Sequence, residues 1–316
     1  MAAPQGLDYS LLIATKDRPE ELRRALKCVL RQQPLPVQII IVDDGALDST
    51  VLEAQLGAEV SRLVYYRKNK PGVVASYNIG ADLCEATWLL SIDDDIELDG
   101  RFVERLSRVV SAWRGPAPLA AVVGTAWQEV NLRPSARSRW RDGVGSLFFL
   151  SGGVEGRLLP SGLVTDFFHG HRRSTPWRIE TISAGLSLVR TDLLQRFRYD
   201  PWFEGYAYGQ DKELGFRLSR DHAILYHPEA RAHHRKSVRA RTPSRRLGSM
   251  RVENQFYTFR KHFGGARWVP FLWAQLGQLV IMALGLATGR GRAARFQELC
   301  GAVVSLVRGG RRPCTS

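Results

Sequence analysis

Two apolar runs that end in aspartates constrain this chain more than any other feature. Val37-Gln38-Ile39-Ile40-Ile41-Val42 leads into Asp43-Asp44-Gly45, and Thr87-Trp88-Leu89-Leu90-Ser91-Ile92 leads into Asp93-Asp94-Asp95. Runs this apolar and this short predict strands buried on both faces, the kind that helices cover in parallel sheets. A third run, Tyr9 to Ala14, has the same character. Helical spacing separates them. Leu22, Ala25, Leu26, Val29 and Leu30 predict a helix over 20–33, stopped by Pro34 and Pro36. Further helices are predicted over 48–57 and 73–85, with a strand at 61–66. Strand and helix alternate in this way only in α/β folds, and such folds bind ligands beyond the carboxyl ends of their strands.

The carboxylates stand at those ends. Three consecutive aspartates repel one another unless a cation or solvent compensates them. Asp93 and Asp95 can face the same way and bracket a divalent ion while Asp94 points aside, and hard oxygen ligands favour Mg²⁺ or Mn²⁺. The plainer alternative is a solvated acidic turn. At the earlier strand end, a carboxylate of Asp43-Asp44 can accept from a ribose hydroxyl or base N–H, with Gly45 allowing close backbone approach; a simple Asp-Gly turn is the alternative.

Four segments in order now become specific. Leu12 to Pro19, Ile41-Val42-Asp43-Asp44-Gly45, Asn69-Lys70-Pro71-Gly72 with Ala75 to Gly80, and Ile92 to Asp95 together resemble family 2 glycosyltransferases. The resemblance implies a GT-A type fold: a nucleotide-binding α/β/α sandwich with a mostly parallel central sheet, here followed by a helical C-terminal tail. It implies a nucleotide-sugar donor of the UDP or dTDP type. It places that donor against Ala14, Thr15, Lys16, Arg18, Asp44, Asn69, Gly72, Asn78, Asp93 and Asp94, with Mn²⁺ or Mg²⁺ on Asp93 and Asp95. Tyr206 to Leu218 resembles a further segment of the family, whose Asp is the general base of inverting members; here that is Asp211, preceded by Gln210 where an acid is usual. Pro228 to His234 resembles the closing segment, and its spacing points to His234 rather than His233 as a third metal ligand. The implied reaction is inverting transfer to a hydroxyl acceptor (glycan, lipid-linked or small molecule) in the synthesis of cell-surface glycans, polysaccharides or glycoconjugates. The expected organisation is a transferase domain over 1–260, with a donor half to about 115 and an acceptor half over 116–260, then a tail over 261–316.

Beyond residue 115 a strand is expected at Ala120–Gln128, and 131–180 is read as a substrate-side segment without clear periodicity. A strand over Ile182–Val189 follows, then helices over Asp192–Phe197 and Gln210–Arg220 and a strand over Ala223–His227. Trp177, Trp202, Phe203 and Tyr206 suit either stacking on a sugar or a place in the core.

A net charge of +14 calls for an anionic partner: nucleic acid, an anionic membrane surface or a phosphorylated substrate. No helix-turn-helix, zinc-finger or RNP pattern supports a basic nucleic-acid-binding protein, so no nucleic-acid partner is expected. A nucleotidyltransferase would carry a Gly- and Lys/Arg-rich signature after its first strand, which Thr15-Lys16-Asp17-Arg18-Pro19 is not. Cys28, Cys84, Cys300 and Cys314 have no paired spacing and suggest free thiols, and Ser10–Ala14 is too short for a signal peptide. A cytoplasmic protein is therefore expected, its tail either lying peripherally on the inner face of the cell membrane or packing on its own domain or a dimer partner. That tail contains the apolar stretch Val269–Ala287, interrupted by Gln275 and Gln278.

Overall fold

The structure is a computed structural model that describes residues 6–127, 143, 145–148, 150, 155–165, 174–235, 243–264, 268–288 and 292–309. Most of the 131–180 segment lies outside the described residues. The N-terminal half follows the expected alternation: β1 (Tyr9–Thr15), α1 (Pro19–Val29), β2 (Gln38–Asp43), α2 (Ser49–Leu56), β3 (Leu63–Arg67), α3 (Val73–Leu83) and β4 (Trp88–Asp93). β5 (Ile96–Leu98), α4 (Phe102–Ala112), β6 (Leu119–Trp127), β7 (Trp177–Ile179), β8 (Leu186–Arg190), α5 (Thr191–Phe197), α6 (Gln210–Ser219) and β9 (Ala223–His234) come next. Three helices close the chain, α7 (Ser244–Phe263), α8 (Trp268–Thr288) and α9 (Arg292–Val307).

Two compact units divide these elements. The first comprises Met1–Val130, His171–Gly205 and Leu214–Ala240; the second comprises Asn131–Gly170, Tyr206–Glu213 and Arg241–Ser316. The first unit holds one sheet in the order β3-β2-β1-β4-β8-β6-β9-β5, with β7 paired to β9. β1 to β4, β6 and β9 run one way, and β5, β7 and β8 oppose them. The sheet is thus mostly parallel, and entirely so over β3-β2-β1-β4.

Alternation along these strands explains the layers. Tyr9, Leu11 and Ile13 of β1, with Ile39 and Ile41 of β2 and Leu90 and Ile92 of β4, pack into one cluster with Leu22 and Leu26 of α1, Leu52 of α2 and Phe102 and Leu106 of α4. Leu12 points the other way, where Gly80 of α3 lies so close that an added Cβ would sit 2.4 Å from its Cδ2. Helices therefore cover both faces, and each fully buried Leu or Ile contributes ~1.5–3 kcal/mol. The continuous apolar runs are this two-sided burial written in sequence.

In the second unit α7 packs on both later helices. Phe256 and Phe259 pack on Trp268 and Phe271 of α8, while Gly248 and Gly301 let the backbones of α7 and α9 approach closely. The helical bundle thus includes α7, which begins well before residue 261. Among the described residues, no helix is long and apolar enough to cross a membrane.

Candidate active site

Parallel register sets the carboxyl ends of the first four strands level with one another. Thr15 pairs with Asp43, Asp43 with Arg67, and Ala14 with Asp93. The loops leaving these ends therefore meet at one edge of the first unit, and their side chains form two carboxylate hubs.

Asp43 and Asp44 build the first hub. Asp43 is fully buried and accepts from the backbone N–H groups of Gly45 (2.7 Å) and Leu47 (2.9 Å) and from the Tyr65 hydroxyl (2.9 Å). It shapes its own turn. Asp44 reaches outward: it pairs with Lys68 and accepts from Gly72 N–H at 2.8 Å and Ser76 Oγ at 3.1 Å. Gly72 caps α3 at φ 150°, a conformation that favours glycine, with open space where a Cβ would point. Gly45 is required for a different reason, since a Cβ there would meet the Asp17 backbone nitrogen at 2.9 Å. The 15–18 and 43–45 loops touch at that point.

The second hub contains the three successive aspartates, and they do different work. Asp94 accepts from Thr15 Oγ1 at 2.8 Å and from Arg18 Nη1 at 2.9 Å, so it fastens the β1 loop. Burial raises its pKa, and the Arg18 guanidinium opposes that rise. Asp93 accepts from the Tyr77 hydroxyl at 3.2 Å. Its carboxyl is pushed up to about 6 by burial and then by the neighbouring Asp95, with His234 pulling it back. Asp95 lies 3.1 Å from His234 Nε2.

His234 arrives by an unusual route. The sequence predicts that the last strand stops at His227, before Pro228, but β9 continues to His234. Its pairing to β6 slips between Val123 and Thr125, where Tyr226 gives way to Arg231 as partner. Pro228 sits in that bulge and need not donate to the ladder. Beyond it, β9 pairs with β5 so that Ile96 faces His234. Alternate residues of a strand face opposite sides, and it is His234 that reaches Asp95.

Asp93, Asp95 and His234 each offer one ligand atom, all within 4.8 Å of one another. Opposite ligands at ~2.1 Å from a Mg²⁺-sized ion span ~4.2 Å, so small side-chain adjustments would close the set on an ion. Two carboxylates and an imidazole suit a divalent metal, and a bound cation would offset the burial and, after it, the Asp95 charge that raise the Asp93 pKa.

The other expected residues have the following surroundings. Lys16 and Asn69 are exposed. The Asn78 amide pins the Tyr199 backbone, donating to its carbonyl and accepting from its N–H, both at 2.9 Å. Tyr199 in turn stacks on Tyr77 at 5.0 Å. Asp211 belongs to the second unit, as the second residue of α6; its carboxylate accepts from Lys212 N–H at 2.9 Å and lies 3.5 Å from Lys212 Nζ. In that same unit, fully buried Glu213 pairs with Lys261 and His262, each at 2.9 Å. Of the aromatics, Phe203 is core, Trp177 packs on Tyr226, and Tyr206 is 61% exposed.

Tyr77, Lys68, Ser76 and Gly185 are absent from the sequence-derived site. Gly185 has the strictest requirement: its carbonyl accepts from Asp93 N–H at 3.1 Å, and a Cβ on it would lie 2.1 Å from Asp93 Oδ2. Only Tyr77 and Ser76 carried a signal, as members of the Ala75 to Gly80 segment.

Comparison with known proteins gives consistent matches. The family model described as Glycosyl transferase family 2 matches residues 10–196. A PGL/p-HBAD biosynthesis glycosyltransferase of Mycobacterium bovis (strain BCG / Pasteur 1173P2) is 33% identical over 100 residues, which is 31% of this chain and 38% of that protein. An uncharacterized glycosyltransferase of Haemophilus influenzae is 29% identical over 86 residues, covering 27% of this chain and 29% of its own. The matched stretch thus spans well under half of these relatives. Among solved structures, the mannosyltransferase PcManGT from Pyrobaculum calidifontis in complex with GDP-Man and Mn²⁺ superimposes with a TM-score of 0.55 at 13% identity, over 98% of this chain and 84% of that one. GalNAc-T7 with UDP, GalNAc and Mn²⁺ gives a TM-score of 0.58 at 14% identity, over 97% and 57%. At such identities the likeness establishes the fold, which is of the GT-A type.

Proposed function

The chain belongs to glycosyltransferase family 2, and on that premise we propose that it is a metal-dependent inverting transferase. Its donor is a nucleotide-diphosphate sugar of the UDP or dTDP type, and its acceptor is a hydroxyl group of a glycan, a lipid-linked sugar or a small molecule. The reading assigns it to the synthesis of cell-surface glycans, polysaccharides or glycoconjugates. It works in the cytoplasm, or peripherally on the inner face of the cell membrane. Neither nucleic-acid binding nor nucleotidyl transfer is favoured by the family match.

One observation carries this reading: Asp93, Asp95 and His234 converge at the end of β4, beside loops from β1 and β2. These three residues would hold the metal. Imidazole in the donor set favours Mn²⁺ over Mg²⁺, and both structural neighbours above contain Mn²⁺. When bound, the metal neutralises charge that builds on the departing diphosphate.

The protein's own residues supply the rest. Ala14, Thr15, Lys16 and Arg18 border the base and ribose, with Asp94 fastening that loop through Thr15 and Arg18. Asp44 presents the loop of Asn69 and Gly72 through its bond to Gly72 N–H. Asn78 acts through Tyr199, and Tyr77 orients Asp93. The donor lies in the first 115 residues, and the acceptor side in 116–260. Asp211 takes the acceptor proton, so that a single displacement inverts the anomeric centre; the resemblance of Tyr206 to Leu218 supports this role.

Asp211→Asn tests the assignment. General-base catalysis is worth ~10²–10⁴-fold, so turnover should fall by that factor while affinity for the nucleoside diphosphate stays unchanged. Near-wild-type turnover would remove Asp211 from the role.

A further inference from the structure

The C-terminal helices turn the usual polarity of a surface helix inside out. In sequence, Gln275 and Gln278 interrupt the apolar stretch of α8. In the structure both point inward: Gln275 is 3% exposed, and Gln278 donates to Gln255 of α7 at 2.7 Å. Phe271 and Ala274 share that buried side. The outward side carries Val269 (78% exposed), Leu272 (57%), Leu276 (47%) and Leu284, at the spacing of a single helical stripe. No charged residue occurs anywhere in the 21 residues of α8. α9 also exposes Phe296, Val303 and Val307, at intervals of seven and four, together with Arg292 and Arg295. A helix that hides its amides and shows leucines is not built to face water.

Two kinds of partner would cover such a face: a second copy of the chain, or a lipid surface. Charge decides between them. Residues 260–316 contain nine Lys and Arg against a single carboxylate, Glu298. Pairing two copies through this region would crowd like charges together, whereas anionic headgroups would neutralise them, each cation contributing about fivefold to binding. Trp268 and Trp273, about two-fifths exposed at the start of α8, suit the boundary between headgroups and acyl chains. Neither helix is long and apolar enough to cross a membrane.

We infer that the outward stripes of α8 and α9 seat the protein in the interface of an anionic bilayer, lying in its plane. The inference deepens the peripheral location proposed above, and rests on that location rather than on the transfer chemistry.

Co-sedimentation with vesicles tests it. The whole chain should bind mixed phosphatidylglycerol–phosphatidylcholine vesicles, more weakly as salt rises, and bind phosphatidylcholine alone at least ~tenfold less tightly. The double variant Leu272→Glu/Leu276→Glu alters exposed positions only, and should weaken binding at least ~tenfold again. Should that variant not fold, quenching of the unaltered protein's tryptophan emission by brominated acyl chains gives the same answer. Equal binding to both vesicle types, no binding to either, or no quenching would overturn the inference. So would a dimer in sedimentation velocity that the double variant converts to monomer, because the face would then belong to a second copy. Vesicle binding by a chain without transferase activity would sink the catalytic reading alone; turnover on a soluble acceptor without vesicle binding would sink only this one.

Discussion

Asp93, Asp94 and Asp95 share a sequence motif but not a task. Asp94 holds the Thr15–Arg18 loop, Asp93 is set by Tyr77, and Asp95 meets His234. Sequence can flag the cluster, because three carboxylates at a strand end need an explanation. It cannot divide the labour, because Tyr77 and His234 are placed by tertiary structure. Asn78 makes the same point: it lies in a recognisable segment, yet its partner Tyr199 is 121 positions away. His234→Ala should therefore weaken Mn²⁺ binding by at least the ~10–100-fold that loss of an outer-shell partner costs, as read by calorimetric titration, with the melting temperature of the metal-free protein little changed. Unaltered affinity would take His234 out of the ligand set. His227 yields a separate test through pH. Burial lowers its pKa to about 4, with Arg105 adding to the shift and Glu229 opposing it. Below pH ~6.5 the unfolded chain takes up this proton, while the folded protein refuses it until about 4. The stability present above pH ~6.5 is thus lost progressively as pH falls, by about 3 kcal/mol in all. Urea unfolding across that range should show a steeper acid loss for wild type than for His227→Gln; parallel curves would refute the assignment.

Elements were legible where periodicity alone decides them. The runs before Asp43 and Asp93 became β2 and β4 within a residue or two, because two-sided burial demands continuous apolar sequence. α4 was open to the same reasoning, since Phe102, Val103, Leu106, Val109 and Val110 follow helical spacing, although the sequence reading leaves 96–112 unassigned. α1 stops at Val29 rather than Gln33, because 31–33 wind into a turn whose Gln32 side chain is taken by the carbonyls of Cys28 and Asp99. Failures cluster where long-range partners decide. The strand expected from Ile182 starts only at Leu186, because 183–186 form a turn that carries the Gly185 carbonyl to Asp93. β9 outruns Pro228 because it bulges there, opposite Val123–Thr125 of β6, and then resumes pairing. Gly185→Ala, which alters no ligand, should push the Asp93 carboxylate aside and lower Mn²⁺ affinity ~10–100-fold, with the sheet intact by circular dichroism. Wild-type affinity in this variant would mean that the Asp93 position is not what Gly185 protects.

At the scale of the molecule, fold class followed from alternation and from the four ordered segments, and the fold match bears it out. The compact units are discontinuous in sequence, α7 falling with α8 and α9 and β9 with the first unit, which no local pattern announces. The tail shows why a linear reading of hydropathy falls short: Gln275 and Gln278 seem to break the apolar stretch, but folding turns them inward and leaves the outer stripe unbroken. The central claim is that Asp93, Asp95 and His234 bind a divalent metal on which nucleotide-sugar turnover depends. The direct test is release of nucleoside diphosphate from a panel of nucleotide sugars, with acceptor sugars and with water, for wild type and Asp95→Ala, in EDTA and then in excess Mn²⁺ or Mg²⁺. Wild type should be inactive in chelator and recover with Mn²⁺ best, while Asp95→Ala should stay inactive or need far more metal; full wild-type turnover in EDTA would contradict the account.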